Sequence, residues 1–356
     1  MTTITRNDVA YAGGDKKIHY LAAGPVDGPL IMFIHGWPGT AITWKTHIDT
    51  FSGLGFRVVA PDMPGYGHST ARHVIEDYCQ EALVEGMMAL LADTDRSAAI
   101  WVGHDWGAAV TSSVATQHPE VVKALVNLCV PYHSIELGWS GFLPLVNRET
   151  YPADEYEFGQ WDYMKNYEEN FEKAVEWLDQ DVAGFCKAAM QITTPPTSRI
   201  ARFSTVRKSG WFDGMQKPPS VDMTGTPVLP VEVFDSFTKD MQKTGFWSGS
   251  AYYMNHERNA EYNGKAPGGG KLKQPVLFIH ATWDLTCDTK TSRLPVPMRE
   301  VCSNLTEVTV EAGHFVQFEK PGQVTAALCR FIIEQLPSEW PGFWESGYTT
   351  RNKLVL

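Results

Sequence analysis

Short apolar runs alternate with longer amphipathic stretches through the first third of the chain. Four runs are almost entirely apolar, which is typical of strands buried on both faces of a sheet. These predicted strands are residues 30–35, 56–61, 98–103 and 121–130. The segments between them have the spacing expected of helices, at about 41–53, 75–93 and 106–118. Strands that alternate with helices predict an α/β fold, in which a mostly parallel sheet is flanked by helices.

The alternation stops near Pro131 and resumes after Gly270. The intervening part carries proline pairs, scattered aromatic residues and helical stretches such as 163–189, but no alternating strands. Beyond it, the pattern predicts two more strands and a closing helix, at 275–281, 305–311 and 322–336. We therefore expect a mainly helical cap inserted into a single α/β core.

These changes of pattern divide the chain into three segments. Residues 1–132 and 271–356 are predicted to form the two halves of the core, and residues 133–270 the cap. Residues 337–356 form an aromatic tail at the end of the second half, to which the pattern assigns no element.

Composition and charge narrow the range of partners. The 356 residues are 43% hydrophobic and 20% charged, as in ordinary globular proteins, and no stretch approaches the length of a membrane span. The formal net charge of -11 disfavours nucleic acids and anionic membranes, because both bind basic surfaces. A small neutral substrate suits such a chain. The sequence leaves open whether the protein forms a homodimer.

The N-terminus and the cysteines bear on the compartment. Residues 1–10 are polar and lack the basic start and apolar run of a secretion signal. The six cysteines include no C-x-x-C pair and no regular spacing with histidines, so neither a zinc site nor a disulfide framework is predicted. Free thiols are typical of a reducing compartment, and we expect a cytoplasmic protein.

A carboxylate stands at the turn between one predicted strand and the helix that follows it. Residues 100–108 read IWVGHDWGA, in which Gly103 and Gly107 frame Asp105. Such glycines allow a nucleophile elbow, a sharp turn that lifts the central side chain clear of the sheet. A carboxylate there can attack an activated saturated carbon and form an alkyl ester. Taken alone, the motif is also consistent with Asp105 acting only as the N-cap of the helix.

Two further motifs supply the other groups of a hydrolytic site. The segment HGWPG, residues 35–39, follows the first strong strand and predicts a loop whose amides bind a developing negative charge. We assign the oxyanion donors to the backbone amides of Trp37 and Trp106. Asp284 follows the next-to-last predicted strand and His314 the last, which gives the chain order nucleophile, acid, histidine. Each motif alone is consistent with a turn or a cap, but their order along the chain favours a catalytic set.

Together these motifs resemble the epoxide hydrolases of the α/β-hydrolase fold. The matching segments are GHDWG at 103–107, HGWP at 35–38 and GHF at 313–315. The resemblance runs over nearly the whole chain and implies hydrolysis of an epoxide to a vicinal diol. The aromatic residues of the cap favour a small apolar epoxide. It implies that Asp105 is the nucleophile and that His314, oriented by Asp284, activates the water that releases the product. It implies no cofactor and no metal.

The resemblance also assigns two tyrosines of the cap. An opening epoxide leaves an alkoxide that stays attached to the product and needs a proton, which a tyrosine can supply. The segment YMNHERN, residues 253–259, resembles the one that carries such a tyrosine in soluble epoxide hydrolases, which maps the role to Tyr253. The segment WDY, which ends at Tyr163, resembles the one that carries the second tyrosine, although Tyr156 and Tyr167 lie close enough to be confused with it.

Two other functions remain open from the sequence. The haloalkane dehalogenases share the aspartate nucleophile, but many carry an asparagine as halide donor where this chain has Trp37. A ligand-binding protein on the same fold would bind small molecules without turnover, and the intact nucleophile, acid and histidine argue against it. The sequence identifies neither the epoxide nor the attacked carbon.

Overall fold

A computed structural model gives the fold and describes residues 3–220, 222 and 227–341. Its strands are β1 (Thr5–Tyr11), β2 (Lys16–Ala23), β3 (Leu30–Ile34), β4 (Arg57–Pro61), β5 (Ala99–His104), β6 (Val122–Leu128), β7 (Val276–Ala281) and β8 (Leu305–Val310). They form one sheet in the order β1-β2-β4-β3-β5-β6-β7-β8. Strand β2 pairs antiparallel with both β1 and β4, and every other pair of neighbouring strands is parallel. The predicted α/β fold with a mostly parallel sheet is confirmed.

The N-terminal hairpin of β1 and β2 is not predicted by the sequence pattern. Strand β1 lies at the edge of the sheet, and most of its residues are exposed or only half-buried. Its polar residues therefore form no apolar run that would reveal a strand. The hairpin extends the predicted parallel sheet by two antiparallel strands.

The described residues form thirteen α-helices. These are α1 (Lys45–Gly53), α2 (Gln80–Asp93), α3 (Trp106–Gln117), α4 (Gly138–Phe142), α5 (Asp162–Asp179), α6 (Val182–Ala189), α7 (Val206–Ser209), α8 (Val231–Thr244), α9 (Trp247–Ser250), α10 (His256–Gly264), α11 (Val296–Val301), α12 (Val316–Glu319) and α13 (Pro321–Gln335). In this part of the chain, none of the helices has the length and apolar character needed to cross a membrane.

Helices α4 to α10 all lie between β6 and β7, so the insertion is mainly helical, as predicted. The predicted domain limits at residues 132 and 270 stay predictions. Residues 342–356 of the predicted tail lie outside the described residues.

Buried hydrogen bonds attach the helical insertion to the core. The Tyr252 hydroxyl donates to the carbonyl oxygen of Pro64 at 2.7 Å. The side-chain oxygen of Asn259 accepts the backbone amide of Gln80 at 2.8 Å. Buried polar groups are costly unless they are paired, so these contacts favour one docked position. They fix the insertion against the loop that follows β4 and against the start of α2.

The turn from β5 to α3 is tight because two glycines leave room for it. Asp105 at its tip has a φ of 53° and a ψ of -126°, a strained conformation for a residue with a side chain. A Cβ on Gly107 would lie 2.2 Å from the carbonyl oxygen of Ile34. A Cβ on Gly103 would lie 2.5 Å from the carbonyl oxygen of Gly107. The close approach of α3 to β3 thus requires glycine, and it raises the Asp105 side chain at the end of β5.

Replacing Gly107 with alanine is expected to destabilise the protein by about 1–3 kcal/mol, because the added methyl overlaps a backbone carbonyl. Urea unfolding measures the free energy of unfolding. Gly53→Ala is the matched control, since a Cβ there meets no atom within 4 Å and alanine favours a helix. Equal stability of the two variants would contradict this steric account of the turn.

Candidate active site

Asp105 is buried between β5 and α3, with 7% of its surface exposed. Its Oδ1 accepts a hydrogen bond from the backbone amide of Trp37 at 2.6 Å. A Cβ on Gly36 would lie 2.4 Å from the same oxygen, so glycine lets the loop after β3 approach the carboxylate. Trp106 is the first residue of α3, where a backbone amide has no acceptor within the helix. One predicted oxyanion donor thus contacts the carboxylate, and the other follows it directly along the chain.

His314 links Asp105 to a second buried carboxylate. Its Nδ1 lies 2.7 Å from Asp284 Oδ2, and its Nε2 lies 3.5 Å from Asp105 Oδ2. Asp284 Oδ1 accepts the backbone amides of Thr286 and Cys287, each at 2.9 Å. Because the Asp284 carboxylate is an acceptor, Nδ1 of the imidazole donates to it and Nε2 faces Asp105. The structure brings the predicted nucleophile, acid and histidine together.

Neighbouring charges set the protonation of this group. Burial lowers the pKa of His314, but the charge of Asp284 and the hydrogen bonds with Asp105 and Asp284 outweigh it and raise that pKa well above its ordinary value. Burial raises the pKa of Asp284, but the charge and hydrogen bond of His314 bring that pKa below its ordinary value. The imidazole is therefore a cation that lies between Asp284 and Asp105.

His104, the residue before Asp105, supports the histidine loop. Burial, assisted by the charge of His314, lowers the pKa of His104 to about 4. Its Nε2 donates to the carbonyl oxygen of His314 at 2.8 Å. His104 is therefore a neutral ring that holds the backbone of the histidine loop.

Asp105 and His314 line one cavity, and the helical insertion supplies part of its wall. The wall is largely aromatic and includes the rings of Trp37, Phe185, Phe203, Trp211 and Phe315. Both predicted cap tyrosines, Tyr163 and Tyr253, also line it. The nucleophile, the histidine and the two phenols therefore share one cavity.

Tyr163 lies on α5, and Tyr253 lies in the turn between α9 and α10. Their ring centroids are 5.7 Å apart, with the ring planes close to perpendicular. Burial raises the pKa of both phenols well above the ordinary value. Both groups are protonated at neutral pH and can donate hydrogen bonds.

Tyr156 and Tyr167, the alternatives for the second tyrosine, are not among the residues that line the cavity. Tyr156 is half-buried and packs edge-on against Tyr151, with centroids 5.6 Å apart. Tyr167 is buried and stacks on Tyr253 at 4.8 Å. Tyr163 is therefore better placed to reach a ligand, while Tyr167 supports the ring of Tyr253.

Glu319 makes a contact near the site that no local pattern reveals. Its Oε2 accepts the backbone amides of Gly313 and Thr193, each at 3.2 Å, and its Oε1 accepts the Thr193 hydroxyl at 3.0 Å. Thr193 follows α6 in the insertion, whereas Gly313 directly precedes His314. Glu319 therefore ties the insertion to the loop that carries the histidine. Its partners lie 126 and 6 positions away along the chain, so sequence reasoning missed it.

Two groups of potential metal ligands overlap this site, and both include His314. The other members are His104 with Cys129 in one group, and Asp284 with Cys287 in the other. Cys129 Sγ donates to the carbonyl oxygen of His314 at 3.0 Å, and Asp284 accepts the His314 ring. Burial raises the pKa of Cys287 to about 12, so it is a thiol and not the thiolate that metals bind. These atoms belong to the hydrogen-bond network of the histidine.

Replacing Asp105 with asparagine is expected to lower the pKa of His314, because it removes the carboxylate that stabilises the cation at Nε2. The pH dependence of the imidazole resonances in NMR spectra measures this pKa. Asp49→Asn, at a surface aspartate paired with Lys45, is the control and leaves the pKa unchanged. A His314 pKa that is the same in both variants would contradict the assigned charge coupling.

Comparisons with known proteins identify the family of this chain. A family model described as alpha/beta hydrolase fold matches residues 29–185. Epoxide hydrolase A of Mycobacterium tuberculosis (strain ATCC 25618 / H37Rv) is 31% identical over 324 residues, which cover 89% of this chain and 94% of that protein. Bifunctional epoxide hydrolase 2 of Sus scrofa is 28% identical over 91% of this chain, which spans 54% of that protein's length.

A solved structure is similar over almost the same range. The crystal structure of Epoxide Hydrolase A from Mycobacterium thermoresistibile matches with a TM-score of 0.74 and 27% sequence identity, covering 93% of this chain and 98% of that one. The chain belongs to the epoxide hydrolase family of the α/β-hydrolase fold.

Proposed function

We propose that this chain hydrolyses small apolar epoxides to vicinal diols in two steps, through an alkyl ester on Asp105. The observation that carries the proposal is the single cavity lined by Asp105, His314, Tyr163 and Tyr253. A carboxylate nucleophile, two proton donors and a base are the groups that this reaction requires. The relatives named epoxide hydrolase support the same reaction.

In the first step, a carboxylate oxygen of Asp105 attacks one epoxide carbon and breaks its bond to the epoxide oxygen. That oxygen remains bonded to the neighbouring carbon as an alkoxide. It takes a proton from Tyr163 or Tyr253. Burial keeps both phenols protonated, so each can bind the oxygen before it needs the proton. The step ends with an ester on Asp105, a hydroxyl on the neighbouring carbon and one phenolate.

Formation of the ester converts His314 from a cation into a base. The ester carries no charge, so one of the interactions that raise the pKa of His314 is lost. The imidazole proton then neutralises the phenolate, and His314 becomes neutral. Asp284 keeps Nδ1 protonated, which leaves the lone pair of Nε2 directed at the ester.

In the second step, His314 Nε2 takes a proton from water, and the hydroxide attacks the carbonyl carbon of the ester. The amides of Trp37 and Trp106 bind the negative charge that develops on the carbonyl oxygen. The Trp37 amide already donates to Asp105 Oδ1 at 2.6 Å, which supports this role. The ester bond breaks, the diol oxygen takes the proton of the new carboxyl group, and Asp105 returns as a carboxylate beside the His314 cation.

The aromatic wall of the cavity favours an apolar substituent on the epoxide, because such rings bury hydrocarbon surface. The same wall disfavours halide release. A departing halide needs N-H donors such as an asparagine amide, and the described residues that line the cavity include no asparagine. An epoxide oxygen, by contrast, meets two protonated phenols.

His314→Gln tests the two-step reaction. The variant is expected to form the ester but not to hydrolyse it, because no base activates water. Mass spectrometry of the intact protein after incubation with an aryl epoxide should therefore show an adduct of the substrate's mass on Asp105. The double variant with Asp105→Asn is the control and should show none. The lack of an adduct in His314→Gln itself would contradict the proposal.

Phenylalanine substitutions test the tyrosines. Tyr163→Phe and Tyr253→Phe are each expected to slow ester formation by about tenfold to a thousandfold, and the double variant by more, because each phenol supplies part of the general-acid catalysis. Single-turnover kinetics measure this rate. Tyr156→Phe is the matched control, since Tyr156 does not line the cavity. Unchanged ester formation in the double variant, together with halide release from a haloalkane, would identify a dehalogenase instead.

A further inference from the structure

A second cluster of ionisable side chains lies outside the active site. His19 on β2, together with Asp62 and His68 in the loop after β4, brings potential ligand atoms within 4.8 Å of one another. Asp240 on α8 adds a carboxylate oxygen 3.7 Å from His68 Nδ1. The four residues are not among those that line the catalytic cavity. Two imidazoles and two carboxylates thus converge where the sheet meets the helical insertion.

Two ring nitrogens of this cluster are buried without a partner. His19 Nε2 and His68 Nδ1 form no hydrogen bond with any described residue. A buried polar atom left unpaired costs free energy, so its position calls for a ligand. His68 Nδ1 faces both carboxylates, and His19 belongs to the same group of potential ligands as His68 and Asp62.

The distances within the cluster fit a bound metal ion. His68 Nδ1 lies 3.5 Å from Asp62 Oδ2 and 3.7 Å from Asp240 Oδ1, longer than ordinary hydrogen bonds. In a tetrahedral zinc site with bonds of about 2.0–2.2 Å, neighbouring ligand atoms lie about 3.3–3.6 Å apart. These two separations from His68 Nδ1 therefore suit neighbouring ligands of one ion, and His19 offers a further ligand atom within 4.8 Å of those of His68 and Asp62.

Asp8 selects the tautomer of His19 that a metal requires. The two residues face each other across the ladder of β1 and β2, and Asp8 Oδ1 lies 2.7 Å from His19 Nδ1. Because the carboxylate accepts, Nδ1 donates and Nε2 keeps its lone pair. Histidines that bind metals characteristically donate their other ring nitrogen to a carboxylate in this way.

The Asp62 carboxylate is held in place before any ion binds. Its Oδ1 accepts the backbone amide of Ala41 at 2.9 Å, and its Oδ2 accepts that of His68 at 3.0 Å. A Cβ on Gly67, which has a φ of +55°, would lie 2.3 Å from Oδ2, so only glycine lets the loop wrap this closely. Within the described part of the chain, neither Asp62 nor Asp240 forms an ion pair with a lysine or arginine. The cluster is therefore preorganised and rich in carboxylate, with the charges of Arg6 and Lys243 acting on Asp240 from outside ion-pair distance.

We propose that His19, Asp62, His68 and Asp240 bind a divalent transition-metal ion of the zinc type. Two imidazoles and two carboxylates suit zinc, whereas magnesium prefers oxygen ligands alone. The bound ion joins β2 and the loop after β4 to α8, so it stabilises the docking of the insertion on the core. No regular spacing of histidines and cysteines marks these ligands, which is why the sequence predicts no zinc site.

Calorimetric titration of the untagged, chelator-treated full-length protein with Zn²⁺ tests the site. One ion per chain is expected to bind, and Mg²⁺ is expected not to bind. His68→Gln and Asp240→Asn should each weaken the affinity for Zn²⁺ by at least about tenfold. His118→Gln is the matched control, because His118 pairs with Glu120 elsewhere on the surface and should leave the affinity unchanged.

Two further measurements separate metal binding from a structural effect of the substitutions. Asp8→Asn is expected to weaken Zn²⁺ affinity by about 10–100-fold, because it removes the partner that orients His19. Zn²⁺ should also raise the Tm of the wild-type protein and of His118→Gln, but not that of His68→Gln.

Failure of the wild-type protein to bind Zn²⁺ would overturn the proposal. So would an affinity for Zn²⁺ in both His68→Gln and Asp240→Asn that equals that of the wild type. Binding that persists in His68→Gln but is lost in Cys287→Ser would assign the ion to the catalytic histidine, and it would overturn the proposal too.

Discussion

One imidazolium held between two buried carboxylates is the interaction on which the active site depends. His314 contacts Asp284 at 2.7 Å and Asp105 at 3.5 Å, and all three side chains follow parallel strands of the same sheet. Burial alone would favour the neutral imidazole, and the carboxylates reverse this preference. Bringing the ends of β5, β7 and β8 together therefore sets the charge state of the site as well as its shape.

The same interaction orders the two steps of the proposed reaction. While Asp105 is a free carboxylate, it helps to keep a proton on His314, and the histidine cannot act as a base. Once Asp105 is esterified, that support is lost and the base becomes available. A single change of charge thus ends the first step and prepares the second, so water is activated only when there is an ester to hydrolyse.

The core strands and the helical insertion were predictable because buried strands and amphipathic helices have distinct periodicities. Asp105, Asp284 and His314 could be identified because each lies within four residues of the end of a strand and in the expected chain order, although their catalytic roles stay predictions. The N-terminal hairpin was not predictable because the exposed residues of its edge strand β1 are mostly polar and form no apolar run. The contacts of Glu319 and of the cluster around His68 were not predictable because they join residues far apart in sequence. They depend on how the loops and α8 pack.

The carboxylate of Glu319 accepts hydrogen bonds both from Thr193 of the insertion and from Gly313, which precedes His314. The fit is close, since a Cβ on Gly313 would lie 1.9 Å from the Thr193 hydroxyl oxygen. A displacement of the Thr193 segment would therefore disturb the hydrogen bonds of Glu319, which also binds the backbone amide of Gly313 beside His314. One carboxylate therefore couples the position of the insertion at Thr193 to the orientation of the histidine loop.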